Sequence, residues 1–167
     1  MPKREILIYP DPRLKQRSLA VDKFDSALHQ LLDDMTETMY AANGVGLAAP
    51  QVGVLERVTV VDVSEKGDQP REFINPKIVS ASGSDSGEEG CLSIPGYRDL
   101  VRRNTSIVVT AQDRTGKEFE VAAEGLLAIC LQHEIDHLDG VLFVDRLSRL
   151  KRELFRRWLR KQSEIES

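Results

Sequence analysis

Two histidines and a glutamate at fixed spacing form the most informative chemical pattern in the chain. Residues 132–137 read Gln-His-Glu-Ile-Asp-His, which is an H-E-x-x-H pattern. On a helix, His133 and His137 would lie one turn apart on the same face, where two imidazoles can bind one metal ion. Glu134 would lie beside that ion and accept a proton from a water molecule. The pattern therefore predicts a hydrolytic metal site, and the alternative is a pair of hydrogen-bonded core histidines.

A catalytic metal site of this kind needs a third ligand, and the sequence offers few candidates. A metzincin peptidase would have its third histidine at the position that Phe143 occupies here. A gluzincin peptidase would use a glutamate from a downstream helix, but the candidate, Glu153, lies in a basic segment where a salt bridge is expected. Cys130 is seven residues from His137, about 10.5 Å along a helix, which is too far for a cysteine side chain to span. We therefore interpret Cys130 as a pocket-wall or packing residue and Cys91 as the third ligand, with a buried, inert Cys91 as the alternative.

Hydrophobic periodicity indicates the elements that must position these residues. An apolar run before the two histidines predicts a buried helix over about 124–138. Helical spacing also predicts an amphipathic helix from Asp25 or Ser26 to about Ala42, and a final basic helix over about 148–162. Along the final helix, helical spacing predicts an apolar face that packs on the rest of the domain, formed by Leu147, Leu150, Leu154 and Trp158. The predicted strands are 57–63, 73–74, 78–79, 105–111 and 118–122, with a loop at 80–90.

Length and composition favour one globular domain. The chain has 167 residues, 41% of them hydrophobic and 30% charged, which is enough to bury a sizeable core. The strands come in antiparallel-looking runs, so we predict an α+β fold: a single compact domain with antiparallel β-sheets around a central buried helix carrying H-E-x-x-H, and a C-terminal helix. Within this domain, residues 1–147 would form the catalytic part and residues 148–167 the basic amphipathic helix and tail.

Charge and hydropathy predict the surroundings of the protein. The apolar runs are shorter than the ~20 residues of a membrane span. Residues 1–6 lack the apolar core of a secretory signal, so we predict a cytoplasmic protein with no membrane attachment. Residues 146–161 contain eight Lys or Arg and one Glu, although the whole chain has a net charge of −4. The basic segment therefore predicts an anionic docking partner.

Three segments resemble the signature motifs of the peptide deformylase family, in the family's order. They are Gly44–Gln51 (GVGLAAPQ), Glu89–Ser93 (EGCLS) and Gln132–His137 (QHEIDH). The likeness extends over nearly the whole chain. It implies a metal-dependent hydrolase that removes the formyl group from the N-terminal formylmethionine of nascent polypeptides and releases formate.

The resemblance also implies a cofactor and partners. Cys91, His133 and His137 would hold one divalent metal ion, with water in the fourth position. Fe(II) is the expected ion, and zinc, nickel or cobalt could occupy the same site. The partners implied are N-formylmethionyl peptides and, through the basic C-terminal helix, the ribosome near its exit tunnel. The protein is expected to be a monomer.

The remaining roles implied by the resemblance concern catalysis and substrate binding. Glu134 would transfer the proton, while the Gln51 side-chain amide and the Leu92 backbone N–H would stabilise the oxyanion. Glu89 and Arg98 are expected near the rim of the pocket. The implied substrate-binding residues are Gly44, Val45, Gly46, Glu89, Gly90, Arg98, Leu126, Ile129 and Cys130.

Two other classes of function remain open at this level. Another metallohydrolase, such as a zincin peptidase, would need a third His or Glu ligand that the sequence does not visibly supply. A non-catalytic metal- or peptide-binding relative would not need Glu134, Gln51 and Cys91, all of which are present. Gly87 stands where relatives of the family often carry a bulkier apolar residue. The sequence therefore predicts the outer wall of the pocket less well than the rest of the pocket.

Overall fold

A five-stranded antiparallel sheet, covered by one helix on each face, forms the centre of the molecule. In the computed structural model, which describes residues 4–166, the strand order of this sheet is β1-β2-β3-β6-β7, and β4 and β5 form a separate antiparallel pair. This architecture confirms the predicted α+β class. The elements are α1 (Ser26–Ala41), β1 (Gly46–Ala48), β2 (Val58–Val61), β3 (Arg71–Ser82), β4 (Asp85–Cys91), β5 (Ile94–Arg103), β6 (Ser106–Gln112), β7 (Glu118–Glu124), α2 (Gly125–Leu138) and α3 (Arg149–Glu166), with short 3-10 turns at Pro12–Lys15, Ala49–Val52 and Phe143–Arg146.

Helix α1 begins and ends as its sequence predicts. The Asp25 carboxylate accepts a hydrogen bond from the Leu28 backbone N–H at 3.1 Å and caps the first turn. After the helix, Asn43 adopts a positive φ of 58°, which a short polar side chain tolerates. The apolar face of the helix is buried, and it consists of Leu28, Leu31, Leu32, Met35 and Met39.

The central sheet separates two apolar clusters because side chains alternate between its faces. Val58 and Val60 of β2 pack with the apolar face of α1. Their neighbour Val61 points to the other face and packs with Leu131 and Ile135 of α2. Helix α2 is therefore fixed against the sheet, and its buried side carries the H-E-x-x-H residues.

The prediction of two short strands around Asn75-Pro76 was wrong. The segments 73–74 and 78–79 belong to one twelve-residue strand, β3. Asn75 adopts a positive φ of 52°, and the pairing with β6 shifts register between Ile74 and Lys77. An irregularity of this kind lets a strand contain a proline without being interrupted.

The prediction of a loop at residues 80–90 was also wrong. The segment contains the end of β3 and most of β4, which pairs with β5 from Asp85↔Arg103 to Cys91↔Ile94. Serine, glycine and aspartate have low strand propensity, so nothing local indicates a strand there. The pairing with β5 decides the conformation.

Helix α3 packs through only part of the apolar face predicted for it. Of the predicted packing residues, Leu147 is buried and Trp158 packs against the same apolar cluster, but Leu150 and Leu154 are 69% and 47% exposed. Phe155 is buried instead, and its ring lies 4.9 Å from that of Tyr97, measured between centroids. The ring of Trp158 stacks on that of Phe155 and contacts that of Tyr97 at a tilted angle. Because aromatic rings bury more area than leucines, they set the rotation of the helix.

The division into residues 1–147 and 148–167 stays a prediction. Residues 1–3 and 167 lie outside the described residues. Residues 1–3 are also half of the segment 1–6, on which the prediction of no secretory signal rests. Leu147 and Phe155 belong to one apolar cluster, so α3 packs on the same body as the residues before it. Among the helices described, none is long and apolar enough to cross a membrane.

Candidate metal centre

Three potential ligand atoms from two elements meet at one point. His133 and His137 lie on successive turns of α2, and Cys91 is the last residue of β4. One ligand atom from each residue lies within 4.8 Å of the other two, and Cys91 Sγ is 3.3 Å from His137 Nε2. The other cysteine, Cys130, lies outside this group, and its Sγ contacts the Val45 carbonyl at 3.6 Å. The structure thus brings together the three residues proposed from the sequence.

The donor atoms in this cluster fit a divalent cation. Burial, with the nearby positive charges of His133 and Arg103, holds the pKa of His137 well below its ordinary value, so its imidazole is neutral. Burial also lowers the pKa of His133, but anionic neighbours, Glu134 first among them, raise it well above its ordinary value. Negative surroundings that attract a proton also favour a metal cation in its place. A thiolate and two imidazoles suit several first-row metals.

Glu134 is buried beside these donor atoms. Its side-chain Oε1 has no hydrogen-bond partner among residues 4–166. Burial raises the pKa of Glu134 to about 7, and the positive charge of His133 opposes the rise only in part. A carboxyl group with a pKa near 7 can both accept and release a proton at neutral pH.

A glycine allows β1 to run close to Glu134. A Cβ atom added at Gly46 would overlap Glu134 Oε2 and lie 2.8 Å from Cys130 Sγ. No side chain fits in this space without moving its neighbours. Gly46 of the first motif therefore allows the edge strand β1 to lie directly against the buried Glu134 carboxylate.

Gln51 is held so that its amide nitrogen faces the ligand cluster. Its Oε1 accepts a hydrogen bond from the Ala48 N–H at 3.0 Å, while Nε2 donates to Ser93 Oγ at 3.1 Å and lies 3.6 Å from Cys91 Sγ. Leu92 follows Cys91 in the connection between β4 and β5, so its backbone adjoins the same point. The orienting role of Ser93 was missed in the sequence, where it reads as an ordinary turn residue.

A cleft of about 530 Å³ opens beside the cluster. All the substrate-binding residues predicted from the sequence line it, namely Gly44, Val45, Gly46, Glu89, Gly90, Arg98, Leu126, Ile129 and Cys130. Val45 and Leu126 are about half exposed, at 48% and 56%. A Cβ atom at Gly87 would meet no described atom within 4 Å, so this position adds nothing to the wall. Lining residues that the sequence did not reveal are Asn43, Glu88, Ile94, Gly96 and Tyr97.

Glu89 lies deeper than the rim position predicted for it. Its carboxylate is buried, with Oε1 3.0 Å from His133 Nδ1, and Arg103 donates to both of its oxygens at 2.9 Å. Burial alone would raise the pKa of Glu89, but hydrogen bonds from Arg103 and His133 outweigh it and lower the pKa to about 2. With Nδ1 bonded to this carboxylate, His133 presents Nε2 to the ligand cluster. Arg98 does lie in the open, where it forms an exposed ion pair with Glu88 at 2.7 Å.

Comparison with known proteins places the chain in a family. The model of the polypeptide deformylase family matches residues 3–153. The chain belongs to this family. Its members are metal-dependent hydrolases that remove N-terminal formyl groups from nascent peptides.

Individual relatives resemble the chain over nearly its whole length. The peptide deformylase of Chromobacterium violaceum is 54% identical over 94% of each chain. A crystal structure of a peptide deformylase from Legionella pneumophila superposes with a TM-score of 0.91 at 52% identity, over 98% of this chain and 96% of that one. The peptide deformylase of Ehrlichia chaffeensis, solved in complex with actinonin, gives a TM-score of 0.90 at 44% identity, over 97% and 98% of the two chains.

Proposed function

We propose that this protein removes the N-terminal formyl group from formylmethionyl polypeptides and releases formate. The observation that carries this proposal is the position of Glu134, a buried carboxyl group with a pKa of about 7, beside the Cys91, His133 and His137 donors. Glu134, Cys91 and His133 line a cleft of about 530 Å³, which is large enough for a peptide side chain. Membership of the deformylase family supports the choice of substrate.

We assign the metal ion to Cys91, His133 and His137, and we propose Fe(II), with zinc, nickel or cobalt as ions that the same donors suit. When bound, such a cation polarises the formyl carbonyl and makes a water molecule more acidic. Glu89 holds the His133 ring in the orientation that this ligand role requires.

Glu134 moves the proton in the proposed reaction. It accepts the proton of the attacking water as the new C–O bond forms at the formyl carbon. It then gives this proton to the departing amine as the C–N bond breaks, so that formate and a free N-terminus result. A pKa of about 7 lets one carboxyl group perform both steps at neutral pH.

The Gln51 amide and the Leu92 backbone N–H are the proposed donors to the formyl oxygen as its negative charge grows. Gln51 is already fixed by Ala48 and Ser93, so its amide needs little rearrangement during the reaction. Donors that are oriented in advance stabilise developing charge more than mobile ones do.

Substrate binding is proposed to use both sides of the cleft. Strand β1 lies at the edge of the five-stranded sheet, where Gly44–Gly46 can pair with an extended peptide. Gly90 and Arg98 lie across the cleft, whereas the Glu89 oxygens are already occupied by Arg103 and His133. The methionine side chain would contact the apolar wall formed by Val45, Leu126, Ile129 and Cys130.

For α3 we propose docking to ribosomal RNA near the exit tunnel. Its exposed surface carries Arg156, Arg157, Arg160 and Lys161, and none of these residues contributes to the buried aromatic contacts of Phe155. Contacts of arginine and lysine with phosphates weaken steeply as salt rises. Co-sedimentation with ribosomes should therefore fall with salt and with R156Q/R157Q/R160Q, while hydrolysis of a short peptide is unchanged. The monomeric state and the cytoplasmic location stay predictions.

Formate release from a formyl-Met-Ala-Ser peptide tests the proposed reaction. The protein is purified without oxygen and loaded with Fe(II) or Ni(II). Wild type and Glu120→Ala, which alters an exposed glutamate on β7, should release formate at similar rates. Glu134→Ala should bind metal but lose at least about 10²–10⁴-fold in rate. No release from folded, metal-loaded wild type would contradict the proposed function, and release by Glu134→Ala would contradict its mechanism.

A further inference from the structure

Asp136 on helix α2 is held by two arginines. Arg146 donates from Nε to Oδ2 and from its terminal nitrogen to Oδ1, both at 2.7 Å. Arg103 donates to Oδ2 at 2.6 Å. The side chains of Asp136 and Arg103 are only 11% and 4% exposed, so the bond between these two lies largely out of water. Arg146 lies in the 3-10 turn Phe143–Arg146, outside the three motifs of the sequence.

These bonds continue without a break to a proposed metal ligand. Arg103 uses one terminal nitrogen for Asp136, and its Nε and other terminal nitrogen for the two oxygens of Glu89. Glu89 in turn bonds His133 Nδ1 at 3.0 Å. Five side chains from four elements thus form one hydrogen-bonded series, which begins at Arg146 and in which arginines alternate with carboxylates as far as His133.

We infer that Arg146 is a positioning residue for the metal site, acting through Asp136 and Arg103 on the carboxylate of Glu89 that orients His133. A guanidinium group is planar, so Arg103 can serve both carboxylates only while the two keep one relative placement. Arg146 supplies that placement, because its two bonds fix both oxygens of Asp136. Since the metal site is itself proposed, this inference rests on the proposed function.

The turn that carries Arg146 is well suited to this task. Phe143, at its start, is buried, and its ring stacks on the His133 imidazole with 6.3 Å between centroids. The same turn therefore contacts His133 directly through Phe143 and indirectly through Arg146. A displacement of the turn would alter both constraints together.

The chain offers a matched control for testing Arg146. Arg13 also forms a two-bond pair with an aspartate, Asp11, at 3.1 and 2.8 Å. The two arginine side chains are equally accessible, at 47% for Arg146 and 49% for Arg13. Arg13→Gln therefore removes a comparable ion pair that has no bonds leading to His133.

The experiment measures Co(II) affinity by competition with a chelator, and the cobalt absorption spectrum, for wild type, Arg146→Gln, Arg146→Lys and Arg13→Gln. Loss of a partner that orients a ligand weakens metal binding by roughly 10–100-fold. Because Arg146 acts through intermediates, we expect about 10-fold for Arg146→Gln, with a shifted ligand-field band. Arg146→Lys should recover part of the loss, since lysine keeps the charge but not the two-bond geometry. Arg13→Gln should match wild type.

Each outcome decides the matter. Wild-type affinity and spectrum in Arg146→Gln would overturn the inference, and so would equal losses in Arg146→Gln and Arg13→Gln. If Arg146→Gln does not fold, the measurement on Arg146→Lys tests the inference by itself. Wild-type cobalt affinity and spectrum in Arg146→Lys would show that the two-bond contact with Asp136 is not needed, and would overturn the inference. Wild type that binds no Co(II) would overturn the proposed metal site itself, and this inference with it.

Discussion

The two walls of the cleft are held in place by different means. The helix wall, formed by Gly46–Val52 and Gly125–Leu138, packs on both apolar clusters of the five-stranded sheet. The ribbon wall, formed by Asp85–Arg103, is a two-stranded pair outside that sheet. Its inward residues Ile94 and Val101 pack instead with the segment that leads into α3. One wall is thus positioned by the main core, whereas the other depends on the C-terminal part of the chain and on buried ion pairs.

This difference explains how the two walls can share one site. The helix wall supplies His133, Glu134 and His137 from consecutive turns of one buried helix. The ribbon wall supplies Cys91 and Glu89, and the bonds from Glu89 to His133 and from Arg103 to Asp136 fasten it to the helix. Replacing the buried ligand His137 of the helix wall should therefore affect stability and metal binding together, whereas replacing Cys91 of the ribbon wall should affect mainly metal binding.

The largest effects are expected from replacing one metal ligand on each wall. His137→Ala and Cys91→Ala should each weaken metal binding by more than the roughly 10–100-fold that loss of an orienting partner costs. His137 is fully buried, so its replacement should also cost the metal-free protein roughly 2–5 kcal/mol, as large-to-small core changes do. Metal titration and urea unfolding of the metal-free variants measure both effects. Equal losses of stability in the two variants would contradict the comparison.

Adjacent glutamates on β4 provide the next test, this time within the ribbon wall. Glu89→Gln leaves the Arg103 charge buried without its full partner, so we expect a loss of about 3–5 kcal/mol. Glu88→Gln removes only an exposed pair with Arg98, which should be worth about 0–1 kcal/mol. Chemical denaturation of the metal-free proteins gives both values. If the two variants unfold at the same urea concentration, the ribbon wall does not depend on its buried ion pairs.

Two glycines, one in each wall, test steric closeness. Gly46→Ala forces a Cβ atom against Glu134 Oε2, so we expect a loss of about 1–3 kcal/mol and slower formate release. Gly87→Ala places its Cβ atom in open space, and the effect should stay within about 0.5 kcal/mol. Thermal unfolding and peptide hydrolysis are the two measurements. A neutral Gly46→Ala would mean that β1 can move away from the helix.

The smallest effect concerns the anchor of β1 at acidic pH. The Asp62 N–H donates to the Val45 carbonyl at 2.8 Å, and the Asp62 carboxylate accepts from Tyr40 and Ser64. Burial would raise the pKa of Asp62, but these hydrogen bonds outweigh it and lower the pKa from 3.8 to about 2. Because the folded pKa is the lower one, this stabilisation is present above pH 3.8 and is lost as the pH falls towards 2.

Replacing Asp62 makes this pH dependence measurable. The stability difference between wild type and Asp62→Asn, from urea unfolding of the metal-free proteins, should be largest above pH 4 and shrink towards pH 2. Asp22→Asn, a change of an exposed aspartate, should show no such trend. A difference for Asp62→Asn that is constant from pH 5 to pH 2 would be evidence against the assigned hydrogen-bond role.

The sequence by itself determined the elements whose signals are local. Helices α1 and α2 and the β6–β7 hairpin were predicted to within a few residues, because helical faces and hairpin turns depend on neighbours in the chain. The types and spacing of Cys91, His133, Glu134 and His137 also indicated the chemistry of the site. Residue types determine what a side chain can bind or transfer, whatever the fold around it.

Only the tertiary structure decided the features that depend on distant partners. Strand β4 forms because β5 lies beside it, the rotation of α3 follows from Tyr97 on β5, and neither contact is visible in a local pattern. The same holds for Glu89, whose neighbours Arg103 and His133 are 14 and 44 residues away. Pairing of strands and burial of opposite charges are set by distances in space, and these exist only once the chain has folded.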